Sequence, residues 1–167
     1  MPKIEDCNME QLKRRGGNFA TTSALLTAAG AETVWDTTVT LTFAINGKAY
    51  TKTAQTDGAT PTTDYNTGVA FPTLTANEGT VVVWAMNASS AVKCMMGTIQ
   101  ALDADGNFII RPQFPPIPDD VTPFAYQVLK AGSTAGTITF GTSNWNATGF
   151  TNAIQNVLEL PSTPQVS

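Results

Sequence analysis

The chain has no histidine, little charge, two cysteines and no long apolar run, and each shortage removes a class of function. Without histidine the commonest general base, the Ser-His nucleophile pair and the commonest zinc ligand are missing together. A small hydrolase therefore ranks last among the readings, and no cofactor or metal is expected. Cys7 and Cys94 are too few for a disulfide scaffold or a thiolate metal site. Cys94 lies in the run Cys94-Met95-Met96, where a thiol packs as a small hydrophobe. Thiols with no evident export signal fit folding in a reducing cytoplasm. Lys13-Arg14-Arg15 followed by Phe19 to Ala31 has the outline of a twin-arginine leader. Thr21, Thr22, Ser23 and Thr27 dilute its apolar part, and that reading is set aside. No run nears the roughly 20 apolar residues of a membrane span, so no membrane partner is expected.

Only 13% of residues are charged, while threonine is abundant, so the polar surface is built from hydroxyls and amides. Exposed strands and turns suit that composition, whereas a solvated helical surface carries more Glu and Lys. A net charge of −4 argues against nucleic acid, whose binding requires Lys and Arg to displace counterions from phosphates. A chain of 167 residues supports one core, burying about 70% of its unfolded surface.

Thr38 to Thr56 states the architecture. Val39, Leu41, Phe43 and Ile45 alternate with threonines, Asn46-Gly47 supplies a two-residue type I′ turn, and Lys48 to Thr56 returns. Thr80 to Asn87 is apolar on both faces and reads as a central, doubly covered strand. Lys93 to Leu102 and Asn107 to Arg111 read as a second hairpin around Asp103-Ala104-Asp105-Gly106. Phe124 to Lys130, Thr137 to Phe140 and about Ala153 to Leu160 complete the strands, although Phe150, Ile154, Val157 and Leu158 of the last also fit a helical stripe. Pro112 to Pro123 holds five prolines in twelve residues and is expected to run as extended surface chain outside any sheet.

The expected fold is mainly β: a single antiparallel β-sandwich or jelly-roll-like domain. It divides into an N-terminal arm (1–33) with one or two short helices, a β-sandwich domain (34–160) and a C-terminal tail (161–167). Asp6 would cap a first helix reaching Arg15 before Gly16-Gly17, and a second would run from about Phe19 to Ala29.

Candidate chemistry is sparse. Asp103-Ala104-Asp105-Gly106-Asn107 resembles the start of a calcium loop but lacks a third acidic ligand at the fifth position and a Glu at the twelfth, so a hairpin turn is favoured. Asp119 and Asp120 are adjacent in an extended segment, where side chains point apart, and read as solvated turn residues. Gly132 to Gly136 lacks nucleophile-elbow spacing. Trp84 belongs to the core. Trp35 and Trp145 flank loops and are weighed as exposed rings that stack on glycans or anchor an interface. Lys13-Arg14-Arg15 holds a third of all Lys and Arg, so a mostly acidic body carries a cationic tether suited to an acidic neighbour.

The order TVVVWAMNASSAVKCMMGTIQAL, PPIPDDVTPFAYQVLKAG, TFGTSNWNATG and LELPSTP, across residues 35 to 164, resembles small virion structural proteins of tailed bacteriophages: head decoration, head-fibre or other auxiliary surface components. The resemblance implies a mainly β, non-enzymatic protein made in the host cytoplasm and located in the virion. Its partners would be the major capsid protein or other virion proteins and further copies of itself. Lys13, Arg14, Arg15, Pro112, Phe114, Pro116, Ile117, Trp35 and Trp145 are the expected contact residues. A tail, baseplate or fibre component is the nearest alternative, and a carbohydrate-binding module the competing class.

Overall fold

A computed structural model describes residues 17–28, 30–31 and 33–166. They form short strands β1 (Phe19–Ala20), β2 (Leu26–Thr27), β3 (Val34–Thr37), β4 (Leu41–Ile45), β5 (Lys48–Lys52), β6 (Gln55–Ala59) and β7 (Thr73–Leu74). The long β8 (Glu78–Asn87) follows, then β9 (Val92–Met96), β10 (Gln100–Ala101), β11 (Val121–Ala131), β12 (Ile138–Thr139) and β13 (Phe150–Asn156). The protein is mainly β, every strand pair is antiparallel, and no helix occurs among the described residues.

The central sheet has β8 and β11 in its middle, β13 outside β11, and β9 and β10 sharing the far edge of β8. Its middle strands, β8 and β11, read apolar on both faces because both are covered. Val82, Trp84 and Met86 of β8 point into one core, with Phe43, Phe71 and Phe140. Val81, Val83 and Ala85 point into a second, with Met95, Tyr126 and Val128. Strands of the sheets β1–β4–β5, β2–β3–β6 and β7–β12 supply the first core. The second face is covered by Tyr65, Phe108, Phe114, Ile117, Val157, Leu160 and Val166, none of which belongs to a strand.

The β4–β5 hairpin turns as its sequence requires, with Asn46 and Gly47 at φ of 50° and 74°. Its return strand stops at Lys52, and Gln55–Ala59 leaves to pair with β3. The helix expected over 19–29 is absent: β1 and β2 occupy that stretch. Threonine hydroxyls draw it to β4 instead, since Thr21 donates to the Thr42 carbonyl and Thr22 to that of Thr40. Leu25, at φ 49°, would interrupt a helix in any case. Ala20, Ala24, Leu26 and Ala28, on the arm side of the expected boundary at 33, are buried in the first core. The helix capped by Asp6 lies outside the described residues.

The second hairpin differs from expectation. β9 pairs with β8 through the turn at Asn87 to Ser90, and Asn107 to Arg111 contributes only a bridge, Leu102 with Phe108. Pro123 sits inside β11, contrary to the reading that Pro112 to Pro123 stays out of the sheet. A register shift between Pro123 and Ala125 marks a bulge there, a position that tolerates a residue without an N–H. The bulge turns consecutive Phe124 and Ala125 into the same core. The final strand comes earlier than expected, Phe150–Asn156 in place of about 153–160, with residues 157–160 outside any strand.

Candidate interaction surface

The proline-rich segment does two jobs. It roofs the second core, where four prolines within residues 112–118 remove N–H groups that would otherwise be stranded over an apolar face. Pro112 and Pro115 are buried, Phe114 and Ile117 half-buried, and Pro116 exposed. The Phe114 ring meets Tyr126 edge-on, with centroids 5.1 Å apart. The Tyr126 hydroxyl in turn accepts the Gln165 N–H at 3.0 Å, tying down the C-terminal tail. An open groove remains between Met96-Gly97-Thr98 and Gln113 to Pro116. Glycine is required at its base, since a Cβ on Gly97 would lie 2.3 Å from the Gln113 carbonyl oxygen.

Two residues staple this segment. Asn66 donates to the Pro116 carbonyl at 2.8 Å, and the Tyr65 hydroxyl donates to Asp120 Oδ2 at 2.5 Å. The bond to Asp120 raises the Tyr65 pKa above the ordinary tyrosine value. The Lys93 ammonium lies over the Tyr65 ring, 5.0 Å from its centroid. Asp64 sets the loop that carries both staples. It is 5% exposed; its Oδ1 accepts the Asn66 N–H at 2.8 Å and its Oδ2 the Met96 N–H at 2.8 Å. Burial, and after it the Asp64 carboxylate, hold the Cys94 thiol well above its usual pKa, so it is a packing residue with little thiolate.

The same end of the molecule holds Gly17 and Asn18, the first of the described residues. Asn18 Nδ2 donates to the carbonyls of Asp119 at 2.7 Å and Val121 at 2.8 Å, while its Oδ1 accepts the Asn46 N–H. The Gly47 N–H donates to the Gly17 carbonyl at 3.1 Å. Lys13, Arg14 and Arg15 lie outside the described residues.

Trp35 and Trp145 are not surface rings: they are 4% and 3% exposed. Phe140 gathers Phe71, Trp84 and Trp145 around it at 4.8, 5.5 and 5.7 Å, and Trp35 meets Trp84 edge-on at 6.2 Å. Every indole N–H has an acceptor: Ala59 O for Trp35, Gln127 Oε1 for Trp84 and Val34 O for Trp145. Rings buried in this way offer no free face to a sugar, and the tertiary packing that buries them has no signature in the loop-flanking positions from which they were read.

Asp103 caps its own turn, accepting the N–H groups of Asp105 at 2.9 Å and Asn107 at 2.8 Å. The Asn107 N–H, followed by that of Asp105, lowers its pKa. The carboxylate thus serves the hairpin-type turn, and no group of three or more acidic or cysteine side chains among the described residues is placed to hold a metal. Just beyond this turn, Ile109 and Ile110 are 66% and 64% exposed. No helix among the described residues is long and apolar enough to cross a membrane.

Sequence reasoning missed Asp64, Tyr65 and Asn66. The stretch Asp64-Tyr65-Asn66-Thr67-Gly68 carries turn residues, but nothing in it announces partners at Met96, Pro116 and Asp120. Comparison with protein-family models, with curated proteins and with solved structures finds no match.

Proposed function

We propose that this chain is a non-enzymatic structural protein of a tailed-phage virion, an auxiliary capsid protein that binds the outside of the head lattice and bridges neighbouring subunits. Its partners on this reading are the major capsid protein and further copies of itself. The layered all-β body is then a sandwich-type scaffold that presents contact segments. The sequence resemblance across residues 35–164 suggests the class, and the observation that carries the reading further is the anchorage of Asn18. Its bonds to Asp119 and Val121 fix the base of the cationic leader at the end of the proline-rich segment. The triplet Lys13-Arg14-Arg15 ends three residues before that anchor in the sequence. On this reading the basic triplet and the proline-rich segment address the same neighbour. Weak contacts of this kind, repeated over a shell, gain strength through effective concentration.

Binding to expanded heads tests this. The full chain carrying K13E, R14E and R15E together should lose occupancy on the particle while keeping the wild-type circular dichroism spectrum. Wild-type occupancy should fall as salt screens the leader. Undiminished binding by the reversed-charge chain would refute the bridging role.

A further inference from the structure

The central sheet ends at β13, and part of its outer edge is open. The β11–β13 ladder runs from Ala125 opposite Asn156 to Ala131 opposite Phe150. It is extended by the Val157 N–H donating to Phe124 O at 3.0 Å and the Gly132 N–H donating to Gly149 O at 2.8 Å. Hydrogen-bonded pairs alternate along an antiparallel ladder. Thr151, Ala153 and Gln155 therefore bond to β11, while Phe150, Asn152, Ile154 and Asn156 turn their N–H and C=O groups outward.

That outward row has two stops. The Phe150 N–H is taken by the Ala147 carbonyl at 3.0 Å. At the other end the Asn156 side chain grips β2, accepting the Leu26 N–H at 2.7 Å and donating to the Leu26 carbonyl at 3.4 Å. Between them, the backbone N–H and C=O of Asn152 and Ile154 find no partner among the described residues. Proteins blunt open edges with charge, proline or bulges. The outer strand β5 carries Lys48 and Lys52, and β6 carries Asp57 at φ 51°. β13, Phe-Thr-Asn-Ala-Ile-Gln-Asn, has no charge and no proline. Exposed Phe19, Leu25 and Leu158 gather near the Asn156 end, where the Ala20 N–H donates to the Leu158 carbonyl.

We propose that β13 pairs antiparallel with β13 of a second copy about a two-fold axis at Ala153. The free groups are self-complementary. Asn152 of each copy lies opposite Ile154 of the other, and four hydrogen bonds pair the backbone N–H and C=O groups of these two residues in both copies. Ala153 meets its mate as a non-hydrogen-bonded pair, with Cα atoms about 4.5 Å apart, where a methyl group fits. Thr151 faces Gln155, an uncharged polar pair. An isologous contact of this kind closes at two subunits. Four ladder bonds with an apolar rim form a small interface, suited to a reversible dimer that a lattice would reinforce. The inference stands apart from the capsid reading, because it concerns the edge alone.

The test uses the full chain. Light scattering should give twice 17.6 kDa for the wild type and 17.6 kDa for A153K, which sets like charges face to face on an exposed position without altering the monomer's circular dichroism. Mild oxidation of A153C with oxidised glutathione should trap a symmetric dimer linked at position 153, and this variant decides the matter if A153K fails to fold. A wild type that stays monomeric at its solubility limit would overturn the proposal. So would a dimer that A153K leaves intact, or an A153C thiol that links to Cys7 of its own chain, which would place the leader on the edge.

Discussion

The indole N–H of Trp84 donates to Gln127 Oε1 at 3.1 Å, and both side chains are fully buried. Gln127 passes the chain on, donating through Nε2 to Asn152 Oδ1 at 3.1 Å, and Asn152 Nδ2 donates to the Trp145 carbonyl at 3.3 Å. A polar thread thus ties β8, β11 and β13 through the aromatic core. Q127L strands a buried donor and should destabilise the fold by about 1–3 kcal/mol in denaturant titrations. Adding W84F removes the stranded group, so the double variant should cost less than the sum of the singles by about 0.5 kcal/mol or more beyond the loss of ring packing. Simple additivity would show the thread to be energetically idle.

All three indoles should be shielded. Acrylamide should quench native fluorescence weakly, and soluble glycans should give no saturable quench. A saturable response would mean that a ring escapes the core.

The Tyr65–Asp120 bond sets a high-pH dependence. Because the folded pKa of Tyr65 is raised, the bond's contribution is complete below the ordinary value of 10.0 and disappears as pH rises through the folded value. The Tyr65 phenolate should form above the ordinary tyrosine value in the wild type, followed by absorbance, and D120N should move that midpoint back down. An unmoved midpoint would place the cause elsewhere.

Asp103 acts at the other end of the scale. Its folded pKa is lowered, so the turn is held above the ordinary aspartate value of 3.8 and loosens as pH falls through the lowered one. The amide resonances of Asp105 and Asn107 should report that midpoint by NMR, and D103A should speed exchange of both amides at neutral pH.

The Cys94 thiol should resist thiol reagents until the protein unfolds, with peptide mapping as the readout. D64A frees the Met96 N–H in a buried site and should cost about 1–3 kcal/mol. It should also quicken Cys94 labelling, since it removes a nearby negative charge and loosens the covering loop.

What was legible in the sequence was local. Asn46-Gly47 forces its turn through two positive φ angles, and the unbroken apolar run from Val81 to Met86 is doubly covered because its alternate residues enter two cores. What was not legible depends on distant partners. The turn at Asn87 to Ser90 closes with Ser90, not glycine, at φ 57°, and so hid the β8–β9 hairpin. Pro123 broke a composition rule because the bulge beside it relaxes the ladder. The staples from Tyr65 and Asn66 reach across about fifty residues to their partners. The proline-rich segment was recognisable by composition, but its bonds to Asn18, about a hundred residues earlier in the chain, are a tertiary fact.

A reconstruction of purified particles assembled from the genome that encodes this chain tests the proposed lattice-binding role. The expected map shows many symmetry-related copies on the outside of the head, each with its Asn18 end and proline-rich segment against the lattice. Particles bare of this chain, with all of it recovered free in the lysate, would contradict it.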